Sequence, residues 1–95
     1  MKESKLQSKI ITWLKQKGCY VIKPTPGMGV PTGCPDVIAL IDGGGWLALE
    51  VKANSKSKFQ PLQKETIAKL NNMYYCRAVW DTNWGEIKKE IELII

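Results

Sequence analysis

The sequence predicts an α/β fold in the order αβββαβα, a sheet flanked by helices, and three observations carry that expectation. Two continuous apolar runs, Val37-Ile38-Ala39-Leu40-Ile41 and Trp46-Leu47-Ala48-Leu49, are separated by Asp42-Gly43-Gly44-Gly45, which reads as neighbouring buried strands joined by a tight glycine turn. Ahead of them, residues 3–17 place Leu6, Ile10, Trp13 and Leu14 at helical spacing. Behind them, Ile67 and Leu70 give a second helix a buried side through about Met73.

The remaining elements follow along the chain. Gly18 ends the first helix, and Cys19 to Lys23 reads as a short strand. Pro24 to Pro35 holds four prolines and three glycines, too many for regular structure. A loop of that length in so small a domain is usually functional or mobile. Its glycines let a backbone approach a phosphate, so it is expected to contact substrate. Asn54-Ser55-Lys56-Ser57-Lys58 is a polar connection, and Pro61 suits the first turn of the second helix. Tyr74 to Trp80 reads as a fourth strand. Thr82 or Asn83 then caps a last helix, with Glu86 completing a capping box if Asn83 is the cap.

Ninety-five residues make one small domain, 1–95, with a single modest core. The net charge is +5, and the excess is clustered: Lys2, Lys5, Lys9, Lys15, Lys17 and Lys23 meet only Glu3 in the first quarter. Lys52, Lys56, Lys58, Lys64 and Lys69 meet only Glu50 and Glu65. A polyanionic partner is the natural inference, although a lysine-rich surface also serves solubility.

Several chemistries drop out. Without a single histidine the chain has no HNH-type centre, no Ser-His or Cys-His nucleophile and no histidine–zinc site. Cys19, Cys34 and Cys76 are odd in number and widely spaced, as expected for free thiols in a reducing compartment. Pro26-Gly27-Met28-Gly29 does not open a helix as a dinucleotide fingerprint must, so no organic cofactor is expected. No signal-peptide core or membrane-length apolar run is present, and an intracellular, soluble chain without a membrane partner is expected.

Charges stand where buried strands should have none: Asp36 opens the first apolar run, and Glu50 and Lys52 close the second. Buried charges are costly unless paired or bound to metal. Glu50 and Lys52 alternate onto one face of a strand about 7 Å apart, with room for one metal and one water. Whether Asp36 joins them depends on the hairpin register, because a one-residue slip reverses the faces. A three-residue loop Gly43-Gly44-Gly45 sets Asp42 opposite Trp46 and Asp36 opposite Lys52. A two-residue Gly43-Gly44 turn sends Asp36 to the far face, so a shared site demands an odd loop or a compensating bulge. The tripeptide E-x-K alone says little, since it recurs as Glu3-Ser4-Lys5 and Glu86-Ile87-Lys88, where a solvated helix end is the simpler account.

Taken together, Glu3 with Gln7 on the opening helix, Gly33-x-Pro35-Asp36, Glu50-Val51-Lys52 and Gln60-Pro61-Leu62-Gln63 resemble the virus-type replication-repair nuclease (VRR-NUC) domain of the PD-(D/E)XK superfamily. The resemblance covers essentially the whole chain and is similar in size to the minimal stand-alone versions of phages and bacteria. The family's turn reads more like G-x-L-S-P-x-Q; here Gln60 replaces the serine and Gln63 is the better match for its glutamine.

The resemblance implies a restriction-endonuclease-like core with a mixed four-stranded sheet and a chain working in the cytoplasm of a bacterial or phage-infected cell. It implies Mg²⁺ or Mn²⁺ held by Asp36 and Glu50, with the Val51 carbonyl as an extra ligand, activating water for in-line attack on phosphorus. Lys52 would position that water or stabilise phosphoryl charge, and Gln63 would hydrogen-bond Lys52, the water or a phosphate oxygen. Glu3 would either complete a second metal shell or simply complement the helix dipole, with Gln7 one turn on along the same face. Lys23, Lys56, Lys58 and Lys64 would meet the DNA backbone. Arg77 is the sole arginine, which disfavours guanine readout and favours recognition of DNA shape.

The expected activity is therefore a metal-dependent, structure-specific endonuclease on branched DNA such as Holliday junctions. The alternatives are a non-catalytic nucleic-acid-binding module, or a nicking or restriction-like enzyme on the same fold. A homodimer is expected, because paired cuts in a junction need two sites related by a two-fold axis. The apolar end, Ile91, Leu93, Ile94 and Ile95, is expected to supply part of the contact.

Overall fold

A computed structural model describes residues 2–95. Its elements are α1 (Glu3–Gln16), β1 (Tyr20–Ile22), β2 (Val37–Leu40), β3 (Trp46–Val51), α2 (Gln63–Met73), β4 (Cys76–Val79) and α3 (Trp84–Glu92), in the expected order. Leu6, Ile10 and Leu14 recur every fourth residue along α1 and are all buried. At its end Gly18 adopts φ +86°, and the Cys19 and Gly18 amides return to the Leu14 and Lys15 carbonyls. That left-handed stop satisfies helix-terminal carbonyls and turns the chain into β1.

The four strands form one sheet in spatial order β1-β2-β3-β4. The first three run antiparallel and β4 lies parallel to β3, so the sheet is mixed. A parallel neighbour requires a long crossover, and the chain between Val51 and Cys76, α2 included, provides it. Alternate residues point to opposite faces. Val37, Ala39, Leu47, Leu49, Val51 and Val79 belong to the core with Leu6, Ile10 and Leu14 of α1 and Trp84, Ile87 and Ile91 of α3. Trp13 meets Trp84 edge to face at 5.4 Å between ring centroids, tying the two helices together. The other face carries Ile38, Leu40, Trp46 and Ala48, and its β1–β2 end is largely open, with Tyr20 71% and Leu40 44% exposed.

Four local expectations are corrected. The β2–β3 connection is not the three-residue Gly43-Gly44-Gly45 loop: Leu40 pairs with Trp46, leaving residues 41–45 as the turn. The glycines supply positive φ at three successive positions, and the Ile41 amide bonds back to the Gly45 carbonyl, so β2 is set two residues away from the expected register, with Trp46 facing Leu40 instead of Asp42. The loop remains odd in length, which preserves the faces. Pro61 lies before α2 rather than in its first turn, and Ile67 and Leu70 are half-buried while Gln63 is the buried residue of that helix. Asn83 precedes α3 but forms no side-chain cap; its side-chain amide instead accepts from the Trp80 backbone amide at 2.7 Å and donates to the Ala78 carbonyl at 3.2 Å, bracing the β4–α3 corner. At the apolar C-terminus Ile91 is fully buried and Ile94 packs against the core, while Leu93 is 87% exposed. Part of that segment's apolar surface is thus consumed within the chain.

A second knot closes the far side of β4. Tyr75 donates to Glu90 at 2.8 Å, Arg77 pairs with Glu90 at 3.3 Å, and Arg77 also donates to Asn71 of α2. Among the described residues no helix is long and apolar enough to cross a membrane.

Candidate active site

Asp36 stands immediately before β2, and continuing the observed register sets it opposite Glu50 rather than opposite Lys52. Its Oδ2 accepts the Val51 amide at 3.0 Å, which fixes the carboxylate across the end of β3. Glu50 and Lys52 are 2% and 6% exposed. The Lys52 amide donates to the Val79 carbonyl at 2.8 Å, so β4 holds this end of the strand from the other side.

The third component arrives from α2. The Gln63 side chain donates through Nε2 to Glu50 Oε2 at 2.9 Å and accepts on Oε1 from Lys52 Nζ at 2.8 Å. The same Oε1 also accepts the Gln60 backbone amide at 2.7 Å, while the Gln63 backbone amide returns to the Gln60 carbonyl at 3.1 Å. That reciprocal pair closes a turn over Gln60-Pro61-Leu62-Gln63 with Leu62 at φ +70°, ψ −6°, the geometry of a type II turn with proline in its favoured second position. Leu62 is the one non-glycine residue with positive φ among the described residues. Such a placement costs about 1–2 kcal/mol for an L side chain.

Lys52 Nζ has further partners: the Lys58 carbonyl at 3.1 Å, Glu50 Oε2 at 3.5 Å and the face of the Phe59 ring at 4.8 Å. Lys64 approaches the same ring at 5.6 Å. The lysine-rich connection therefore wraps over the buried ammonium and supplies its acceptors.

Glu50 is the electrostatic centre. Burial first, and then the facing charge of Asp36, push its carboxyl up to about 7, against the opposing pull of Lys52. Its Oε2 is engaged by Gln63 and Lys52, whereas Oε1 is the buried side-chain polar atom that finds no hydrogen-bond partner among the described residues. The Cys34 thiol is pushed up by its own burial and by the charges of Glu50 and Asp36. An unpartnered oxygen on a carboxylate set opposite a second carboxylate suits a hard divalent cation. The donors present are two carboxylates, a set that suits an ion keeping much of its water, as Mg²⁺ does; among the described residues no group of three or more His, Cys, Asp or Glu gathers.

The structure thus brings together Asp36, Glu50, Lys52 and Gln63, with Val51 bonded to Asp36 through its amide. Gln7 and Lys23 line a cleft of about 540 Å³ together with Asp36, Gln63 and the Pro24–Pro35 loop. Lys56, Lys58 and Lys64 line an adjoining groove of about 690 Å³ beside Phe59. Glu3 is exposed in the first turn of α1 and does not gather with Asp36 and Glu50. Sequence reasoning missed the contributions of Phe59 and Leu62. The signals were present: a lone phenylalanine within a lysine-rich turn, and a proline two residues before the functional glutamine.

Comparison with known proteins agrees with the fold. A family model described as archaeal Holliday junction resolvase (Hjc) matches residues 2–89. A solved structure titled VRR_NUC domain matches with a TM-score of 0.72 and 21% identity, covering 95% of this chain and 94% of that one. The fold is accordingly the restriction-endonuclease-like α/β fold of such domains. No curated protein matches the chain.

Proposed function

The chain belongs to the archaeal Holliday junction resolvase (Hjc) family and is a nuclease, and from that premise we propose that it is a Mg²⁺- or Mn²⁺-dependent endonuclease that cuts branched DNA such as four-way junctions. The carrying observation is Glu50, set opposite Asp36 by the strand register: one oxygen is engaged by Gln63 and Lys52, and the other, buried, has no hydrogen-bond partner among the described residues. A binding module has no use for two carboxylates turned toward phosphates, and the desolvation of Glu50 Oε1 would be a cost that Gln63 and Lys52, both bound to Oε2, do not offset.

Asp36 and Glu50 would hold the cation, with the Val51 carbonyl as a further ligand. Bound there, the cation would lower the pKa of a water and stabilise charge on the phosphoryl group. Lys52, pinned by Gln63 and the Lys58 carbonyl, would orient that water and neutralise the phosphoryl oxygens. Gln63 would keep the ammonium and Glu50 at fixed separation. Lys23 and Gln7 in the cleft, and Lys56, Lys58 and Lys64 in the groove, would follow the backbone of the branch arms by charge and shape. Each chain carries one such cluster, so paired cuts in a junction require two chains, and we take the working form to be a homodimer acting on DNA inside the cell.

The test is a panel of linear duplex, flap, fork and four-way junction DNA incubated with Mg²⁺, Mn²⁺ or EDTA, with light scattering of the protein alone and with junction. Cleavage of junctions in Mg²⁺, silence in EDTA and a dimer mass are expected. Junction binding without cleavage under any metal would leave a binding module instead.

A further inference from the structure

Two turns of the same hand meet beside the site. In the first, the Cys34 amide bonds to the Pro31 carbonyl at 3.2 Å with Gly33 at φ +85°. In the second, Gln63 bonds to Gln60 with Leu62 at φ +70°. The third residues of the two turns are in contact: a Cβ added to Gly33 would lie 2.9 Å from the Leu62 carbonyl oxygen, 3.0 Å from its carbonyl carbon and 2.9 Å from Thr66 Oγ1. Two of these three atoms are backbone, and the Leu62 carbonyl is itself held as acceptor of the first bond of α2, from the Thr66 amide at 2.9 Å. Thr66 Oγ1 can rotate away, but the Leu62 carbonyl cannot, so a side-chain rotation alone does not relieve the contact.

Each turn feeds a residue of the candidate site. Gly33 leads through Cys34 and Pro35 to Asp36, and Leu62 is followed at once by Gln63. The backbone of one turn therefore rests on the backbone of the other, three residues from Asp36 and one from Gln63. We infer that the Gly33–Leu62 contact is a positioning device that sets Asp36 on one side of Glu50 and Gln63 on the other. Gly33 serves here not only for its positive φ but for the missing Cβ, and Leu62 keeps a left-handed conformation because the turn that delivers Gln63 requires it.

Conformation and contact can be separated by experiment. Gly43, in the β2–β3 turn away from the site, has φ +89° and open space where its Cβ would be. Gly33→Ala and Gly43→Ala incur the same left-handed penalty, but only the first meets Leu62. This inference rests on the proposed nuclease reading, so the readout includes one independent of cleavage. Amide hydrogen exchange by NMR, on the metal-free protein, follows the Val51 amide that donates to Asp36 and the Gln60 amide that donates to Gln63. In Gly33→Ala both amides should lose protection at least tenfold while core amides of α1 hold theirs. On four-way junction DNA its kcat should fall tenfold or more with KM within threefold of wild type. Gly43→Ala should leave the two amides and kcat unchanged. Wild-type protection at Val51 and Gln60 in folded Gly33→Ala, or equal losses in Gly43→Ala, would overturn the inference. Should the wild-type chain cut no DNA, the nuclease reading fails while the exchange comparison still decides the positioning role.

Discussion

Gln63 and Glu50, thirteen residues apart in the chain, meet at 2.9 Å with both groups buried. A neutral amide thus spans a carboxylate and an ammonium that lie 3.5 Å apart, donating to one and accepting from the other. Such a bridge holds the pair at a separation that still leaves Glu50 Oε1 unengaged among the described residues.

Replacing Gln63 tests that bridge. Gln63→Leu removes the acceptor shared by Lys52 and the Gln60 amide, and leaves Glu50 Oε2 with Lys52 alone. Loss of these buried bonds should lower stability by about 1–3 kcal/mol in urea denaturation. Junction cleavage should fall about a hundredfold, the effect of misplacing a catalytic group.

Removing either carboxylate, or the Lys52 ammonium beside them, tests the proposed site. Asp36→Asn, Glu50→Gln and Lys52→Ala should each abolish cleavage while junction affinity, measured by fluorescence anisotropy, stays within about threefold. Wild-type rates in folded Asp36→Asn would contradict the assignment.

Glu50 makes the stability of the metal-free protein depend on pH. Its carboxyl, 4.5 when unfolded and pushed up to about 7 when folded, binds more proton in the folded state between those values. The folded state is therefore favoured at the acid end of that window, and the contribution is lost as pH rises through about 7. In EDTA the melting temperature of wild type should drop relative to Glu50→Gln between pH 4.5 and pH 7, by about ten degrees or more for a shift of this size. Mg²⁺ should raise the wild-type value at pH 7.5 and leave Glu50→Gln largely unmoved.

The groove lysines should act through charge. Lys58 holds Lys52 with its backbone carbonyl, not its side chain, so Lys56→Glu with Lys58→Glu preserves that bond. Affinity for all DNA shapes should fall together, and the slope of log affinity against log salt should become shallower by about 0.9 for each phosphate the variant no longer neutralises.

Leu62 should be replaceable by glycine at little cost. The residue is 52% exposed, so only part of a leucine's burial is lost, and glycine relieves the left-handed strain. The stability of Leu62→Gly should be unchanged or higher by up to about 1 kcal/mol, the relief being partly offset by chain entropy. Thermal melting decides it.

What the sequence disclosed and what it hid have physical reasons. Asp36, Glu50 and Lys52 stood out because charges interrupted apolar runs, and the odd parity of the β2–β3 loop followed from requiring them on one face. The size of that loop did not follow, because three consecutive glycines accommodate several turn geometries and Ile41 is as apolar as the strand it leaves. Pro61 misled for a similar reason: its fixed φ serves equally at the first position of a helix and at the second of a type II turn. The next residue of such a turn is ordinarily glycine, and the leucine here concealed it. Asn83 was assigned the right place but the wrong partners, since its amide reaches equally well toward a helix or back to a strand.

The sequence separation of the site's bonds has one further consequence. Asp36 to Val51, Glu50 to Gln63 and Lys52 to Gln63 span fifteen, thirteen and eleven residues, all inside 36–63. Closing loops this short costs little chain entropy. The candidate site can therefore assemble as a contiguous cassette, with α1 and α3 acting as a floor beneath it. Extensions that keep the floor, whether added before α1 or after α3, should leave the cassette's internal geometry undisturbed, so the unit is physically suited to transplantation into longer proteins.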